Sequence, residues 1–157
     1  MGDKVPAFSA VKTDEHKDEH SHPLPKLSTR FIAHVNAPEN VGRLAEPDGQ
    51  AKGIGTCGDS MEIFLTVRDN RIKEIKHTPN GCAFTVACAS AVTKLAKGHA
   101  LKDCLKLTPE DVADELGGLP DDHRHCAVLA VNTLGEALED YYQQVWGHRR
   151  EGEGHGG

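Results

Sequence analysis

Residues 61–68 alternate strictly: Met61, Ile63, Leu65 and Val67 fall on one side of an extended chain, and Glu62, Phe64, Thr66 and Arg68 on the other. A period of two marks a half-buried β-strand, because successive strand side chains point to opposite faces. Asp69-Asn70 makes a short turn, and residues 71–78, carrying Ile72 and Ile75, return as the antiparallel partner of a β-hairpin. Residues 50–56 are a candidate third strand. After Gly81 the period changes to 3.6: Phe84, Cys88, Ala91 and Leu95 share one helical face, and Lys97-Gly98 supplies a basic last turn and a terminating glycine. Thr108-Pro109-Glu110-Asp111 reads as the capped, acidic start of a shorter helix that ends at Gly117-Gly118. A last helix over about residues 126–146 buries a stripe of Val131, Leu134, Leu138, Tyr141 and Val145, and Ser28 caps a short first helix with Phe31, Ile32 and Val35 on one side, stopped before Pro38. Strands precede the long helices, so the fold class is α+β.

A chain of 157 residues has room for one domain. Residues 1–27 read as a flexible polar arm, 28–146 as the folded domain and 147–157 as a flexible Gly-rich tail. Net charge is −6, with no continuous basic stretch to neutralise a phosphate backbone, so nucleic acid is not an expected partner. No apolar run is long enough to span a membrane and the N-terminus lacks the apolar region of an export signal, which together predict a soluble, cytoplasmic protein. His16, His20 and His22 in the arm read as incidental rather than chelating.

The cysteines, at 57, 82, 88, 104 and 126, depart from this plainness. Their number is odd and no export signal accompanies them, so metal or sulfur chemistry is favoured over a disulfide framework. Any one of them alone is more often a small buried hydrophobe than a ligand. Cys88, in the apolar stripe of its helix, and Cys104, in an apolar segment, are read that way. The others stand at element junctions. Cys57 and Asp59 are two apart in a glycine-flanked loop before the Met61 strand and can face one site; Cys82 follows Asn80-Gly81 ahead of the first long helix; His125-Cys126 opens the last helix. Helix N-termini favour the thiolate, so Cys82 and Cys126 are both placed to gain. Three thiolates with one or two harder ligands suit a soft, roughly tetrahedral site for zinc or iron-sulfur, and spacing alone does not choose between them. The chain has no Cys-x-x-Cys pair, no His-Glu-x-x-His and no deaminase signature, which removes the zinc-ribbon, metalloprotease and deaminase readings.

Gly55-Thr56-Cys57-Gly58-Asp59, Asn80-Gly81-Cys82-Ala83 and Leu119-Pro120-Asp121-Asp122-His123-Arg124-His125-Cys126 resemble, in order and spacing, the three ligand motifs of the U-type iron-sulfur cluster assembly scaffolds, NifU and IscU. Asn36-Ala37-Pro38-Glu39-Asn40-Val41-Gly42 is similar to the family's N-terminal signature. The resemblance implies a small antiparallel three-stranded sheet packed against a group of helices, and a non-enzymatic role in transient construction of a [2Fe-2S] cluster. By position it implies Cys57, Cys82 and Cys126 as thiolate ligands, Asp59 as a labile carboxylate and His125 as an alternative fourth ligand. Its implied partners are a cysteine desulfurase that delivers persulfide sulfur, separate iron and electron donors, and recipient apo-proteins; Cys126 is the expected first acceptor because its helix-start setting favours thiolate; the scaffold would be a monomer or homodimer, and zinc fits the same ligands in the isolated protein. Leu119-Pro120-Asp121-Asp122-His123 carries acids where the IscU branch has a basic, apolar chaperone-binding segment, which argues against chaperone-assisted transfer of that kind. The rival is a zinc-bound sulfurtransferase like the SufU branch, which characteristically lacks a histidine before the last cysteine; His125 argues against it. A structural zinc protein is a weaker third reading.

Overall fold

The Met61 alternation forms the centre of an antiparallel sheet. In the computed structural model, which describes residues 27–154, β1 (Gly49–Ile54), β2 (Ser60–Arg68) and β3 (Arg71–Asn80) lie in that spatial order. Asp69 and Asn70 both take left-handed conformations, φ 56° and 61°, as a two-residue turn matched to the strand twist requires. Around the sheet stand α1 (Thr29–Asn36), α2 (Ala83–Ala96), α3 (Leu101–Cys104), α4 (Pro109–Glu115) and α5 (Arg124–Gly154), with a 3₁₀ turn at Asp121–His123. α5 packs on β1 and β2, and α2 packs on β3 and α5. The α+β class and the three-stranded antiparallel sheet are those expected.

Met61, Ile63, Leu65, Ile72 and Ile75 are fully buried, in one core with Ala87, Ala91 and Val92 of α2 and with Leu134 and Leu138 of α5. With so few aromatics, helix faces built from alanine let α2 and α5 approach the sheet closely.

Several details differ from the pattern reading. Phe64, expected on the solvent side, is only 2% exposed, because the Arg43 guanidinium lies 4.6 Å over its ring. A register shift between Thr66 and Val67 leaves Val67 half-buried. Ser28 does cap α1, accepting from the Phe31 N–H, but the helix buries Phe31 and His34 and leaves Ile32 exposed. His34 is satisfied by Ser90 Oγ at 2.7 Å and Glu115 Oε2 at 3.0 Å, which makes it tolerable inside. In the last helix Leu134 and Leu138 are buried while Val131, Tyr141 and Val145 are half-buried. α5 continues to Gly154, past the boundary expected at Trp146, since an established helix adds residues without a new nucleation cost. The histidines at 16, 20 and 22 lie outside the described residues. No helix among the described residues is long and apolar enough to cross a membrane.

His77, on β3, is fully buried. Its Nε2–H donates to the Glu39 carbonyl at 2.8 Å, and its backbone bonds to Asn40 and Gly42, so this residue fastens the segment after α1 to the sheet. Nδ1 has no partner among the described residues. Burial, opposed by the bond to Glu39, holds the imidazole pKa below its ordinary value. The unfolded chain therefore binds a proton that the folded one refuses, and stability falls as pH drops below about 6.5, by at most about 1.4 kcal/mol per pH unit from this group. Urea unfolding of the metal-free protein should be weaker at pH 5.5 than at pH 7.5, and His77→Gln should flatten that dependence. Equal slopes in the two proteins would place the pH sensitivity elsewhere.

Candidate metal centre

Three junctions meet at one end of the sheet. Between β1 and β2, the Gly55 N–H donates to the Asp59 carbonyl at 2.7 Å and the Gly58 N–H to the Gly55 carbonyl at 3.1 Å, closing a tight loop. Gly58 sits at φ +86°, which a side chain would disfavour. This loop leaves the Cys57 thiol exposed and turns the Asp59 carboxylate inward, 9% exposed. Across the site Cys82 is the N-cap of α2, in extended conformation and exposed. His125 and Cys126 lie in the first turn of α5, which starts two residues earlier than expected; the turn is anchored by an ion pair between Arg124 and Glu110 of α4. Cys126 is 1% exposed.

The structure brings all five sequence-derived residues to one cleft of about 410 Å³. His125 Nε2 lies 3.5 Å from Cys57 Sγ and 3.6 Å from Cys126 Sγ, while Cys126 Sγ is 4.0 Å from Asp59 Oδ2. One ligand atom each from Asp59, His125 and Cys126 fall within 4.8 Å of one another, as do those of Cys82, His123 and Cys126. Cys88 and Cys104 stay in the core, where burial raises both thiol pKa values, that of Cys104 to about 11.

Two residues that sequence reasoning passed over belong to this cleft. Thr85, fully buried in the first turn of α2, donates its hydroxyl to Asp59 Oδ2 at 3.1 Å and stands 3.8 Å from Cys82 Sγ and 3.9 Å from Cys126 Sγ. It is three residues after Cys82, the spacing at which side chains share a helix face, and that was the available signal. The other is His123, whose ring stacks on Phe84 at 3.7 Å between centroids.

The two helix-start cysteines do not behave alike. At Cys82 partial burial works against ionisation, but the backbone N–H groups of Thr85 and Phe84 and the Thr85 hydroxyl outweigh it and hold the thiol below its ordinary value. Cys126 contradicts the expectation of a favoured thiolate: its burial, added to by the neighbouring Cys82, Asp59 and Cys57 charges, outweighs the Thr85 hydrogen bond and pushes it up to about 11. Thr85→Val should therefore slow alkylation of Cys82 by iodoacetamide near neutral pH, by about threefold as the thiolate loses a donor, read site by site by mass spectrometry. An unchanged rate would show that the backbone donors suffice.

Chemically the cleft offers three sulfurs, the carboxylates of Asp59 and Asp122, and two imidazoles. Asp59 Oδ1 and His123 Nδ1 are buried with no hydrogen-bond partner among the described residues. Buried polar atoms left unpaired are costly, and a cation beside each would satisfy it. Soft thiolates with one or two harder donors fit iron or zinc.

Residues 27–146 match the family model for the NifU-like N terminal domain. The iron-sulfur cluster assembly scaffold protein IscU 1 of Archaeoglobus fulgidus is 41% identical over 118 residues, covering 74% of this chain and 77% of that protein. The scaffold protein IscU of Aquifex aeolicus is 34% identical over 119 residues, covering 74% of this chain and 76% of its own. Among solved structures, the N-terminal part of a NifU-like protein from Brucella abortus superposes with a TM-score of 0.60 at 20% identity, covering 74% of this chain and 94% of that one, which is a likeness of fold.

Proposed function

Because this chain belongs to the NifU-like N-terminal domain family, we propose that it is a scaffold on which a [2Fe-2S] cluster is assembled and from which it is passed on. The observation that carries this reading is the convergence of Cys57, Asp59, Cys82, His125 and Cys126 on one open cleft. Four thiolates would retain a cluster; three, with a fourth position served by the Asp59 oxygen or the His125 nitrogen, leave one exchangeable bond through which the cargo departs. Weak ligation at that position is what separates a scaffold from a storage site.

Sulfur arrives as persulfide from a cysteine desulfurase. An acceptor thiolate attacks the outer sulfur, a new S–S bond forms as the old one breaks, and the desulfurase cysteine leaves as thiolate. Iron and the electrons that reduce the sulfur come from separate donors. Cys126 is the acceptor in this proposal, and its buried, raised thiol requires the loop at 55–59 to move or a bound cation to supply positive charge before it ionises. The lowered thiol at Cys82 favours a second reading, in which Cys82 takes the sulfur first. Single Cys126→Ser and Cys82→Ser variants incubated with desulfurase and cysteine separate the two, since only loss of the true acceptor abolishes persulfide on the scaffold.

The scaffold reading is tested by anaerobic incubation of the protein with iron, desulfurase, cysteine and a reductant. Growth of the visible absorption of a [2Fe-2S] cluster, lost on addition of an apo-ferredoxin as the recipient gains it, is expected. Persulfide formation with no absorption, in protein that keeps one zinc ion, would instead make the chain a zinc-bound sulfurtransferase.

A further inference from the structure

We propose that His123 is a metal ligand, which with Cys82 and Cys126 forms a second three-donor set beside that of Asp59, His125 and Cys126. The inference rests on the scaffold reading above and adds a donor outside the five residues assigned there. Ligand atoms of Cys82, His123 and Cys126 lie within 4.8 Å of one another, and this group shares only Cys126 with the other. A four-coordinate ion held by either set keeps one open position, the arrangement of metal sites that must accept an incoming group.

Three features single out this ring. His123 closes the 3₁₀ turn, its N–H donating to the Pro120 carbonyl at 2.9 Å, immediately before α5. Its imidazole lies flat on Phe84, at 3.7 Å and 11°, and Phe84 in turn rests on Phe31 at 5.0 Å. Its Nδ1 is buried with no partner among the described residues, although an imidazole nitrogen shut away from water normally finds one. Packing against Phe84 explains the ring's position and leaves that nitrogen unexplained; a bound ion, or reorientation of the ring toward one, answers it. The consequence for assembly is specific. When Cys126 leaves an ion to take up sulfur, Cys82 and His123 still hold that ion, just as Asp59 and His125 do on the opposite side.

The test uses zinc alone as probe, on the full reduced chain with ¹⁵N-labelled histidine, read by long-range ¹H–¹⁵N spectra. His123→Phe keeps an aromatic ring to stack on Phe84 and removes both nitrogens, so it also assigns the signal. On zinc addition a His123 ring nitrogen should move to a metal-bound shift, and His123→Phe should weaken zinc binding about tenfold in competition with a chelating dye, while the unfolding midpoint of the metal-free protein stays that of the parent. Zinc that binds through the cysteines with the His123 nitrogens unmoved, or equally tightly to His123→Phe, would overturn the proposal and leave the scaffold reading intact. A parent protein that bound no zinc at all would overturn the ligand geometry on which both depend.

Discussion

Replacing Gly81 by Ala is expected to weaken metal binding by about tenfold or more while the domain still folds. The methyl group added there would lie 2.7 Å from Thr85 Oγ1 and 2.8 Å from Asp59 Cβ. Thr85 is fully buried and cannot swing away, so the loop that carries Cys82 must retreat from the β1–β2 loop that carries Asp59. The strain falls between two ligand-bearing segments and leaves untouched the main core of Met61, Ile63, Leu134 and Leu138. Zinc competition titrations, set beside urea unfolding of the metal-free protein, should show a large loss in the first and a small one in the second. Parent-like affinity would mean that the junctions tolerate displacement and that their geometry is not what holds the ion.

Replacing Asp59 by Ala is expected to make the protein hold its cluster longer, with transfer to an apo-ferredoxin slowed by about tenfold or more. Asp59 stands among Cys57, Cys82 and Cys126, where ligation makes every sulfur anionic, and its carboxylate adds one more negative charge at 4.0 Å from Cys126 Sγ. Its loss relieves that repulsion. It also gives the fourth position to His125, already within 3.6 Å of two of the sulfurs, in place of an oxygen that iron binds less firmly than nitrogen in such company. Stopped-flow transfer from the reconstituted parent and variant measures the ratio of rates. If Asp59→Ala releases its cargo as fast as the parent, the carboxylate is not the exit.

What could be read in the amino-acid order, and what could not, divides along physical lines. The hairpin was legible because period-two alternation and a turn of Asp69-Asn70 are local properties, and the capped start of α4 likewise: Thr108 and Asp111 exchange hydrogen bonds as a capping box. The ligand motifs stood out because five chemically specialised side chains cluster at junctions. Non-local contacts were illegible. Nothing in the β2 pattern announces that Arg43 will roof Phe64, and nothing around Ile32 says that His34, satisfied by Ser90 and Glu115 from two other helices, will take its place inside. The helix-start argument for Cys126 is sound in its direction and wrong in its sum: the Cys126 thiol is buried, and desolvation outweighs what the local hydrogen bond supplies. At Cys82, with the same kind of position but an exposed thiol, the local donors win.

The most direct measurement is the cluster formed, by visible absorption after anaerobic reconstitution, across five single variants: Cys57→Ser, Cys82→Ser, Cys126→Ser, Cys88→Ala and Cys104→Ala. The first three should each lose the stable [2Fe-2S] spectrum, and the last two, whose thiols lie in the core and do not line the cleft, should retain it. A full spectrum from any of the first three, or its loss from Cys88→Ala or Cys104→Ala in protein that remains folded, would contradict the assignment of the three convergent sulfurs as the cluster's ligands.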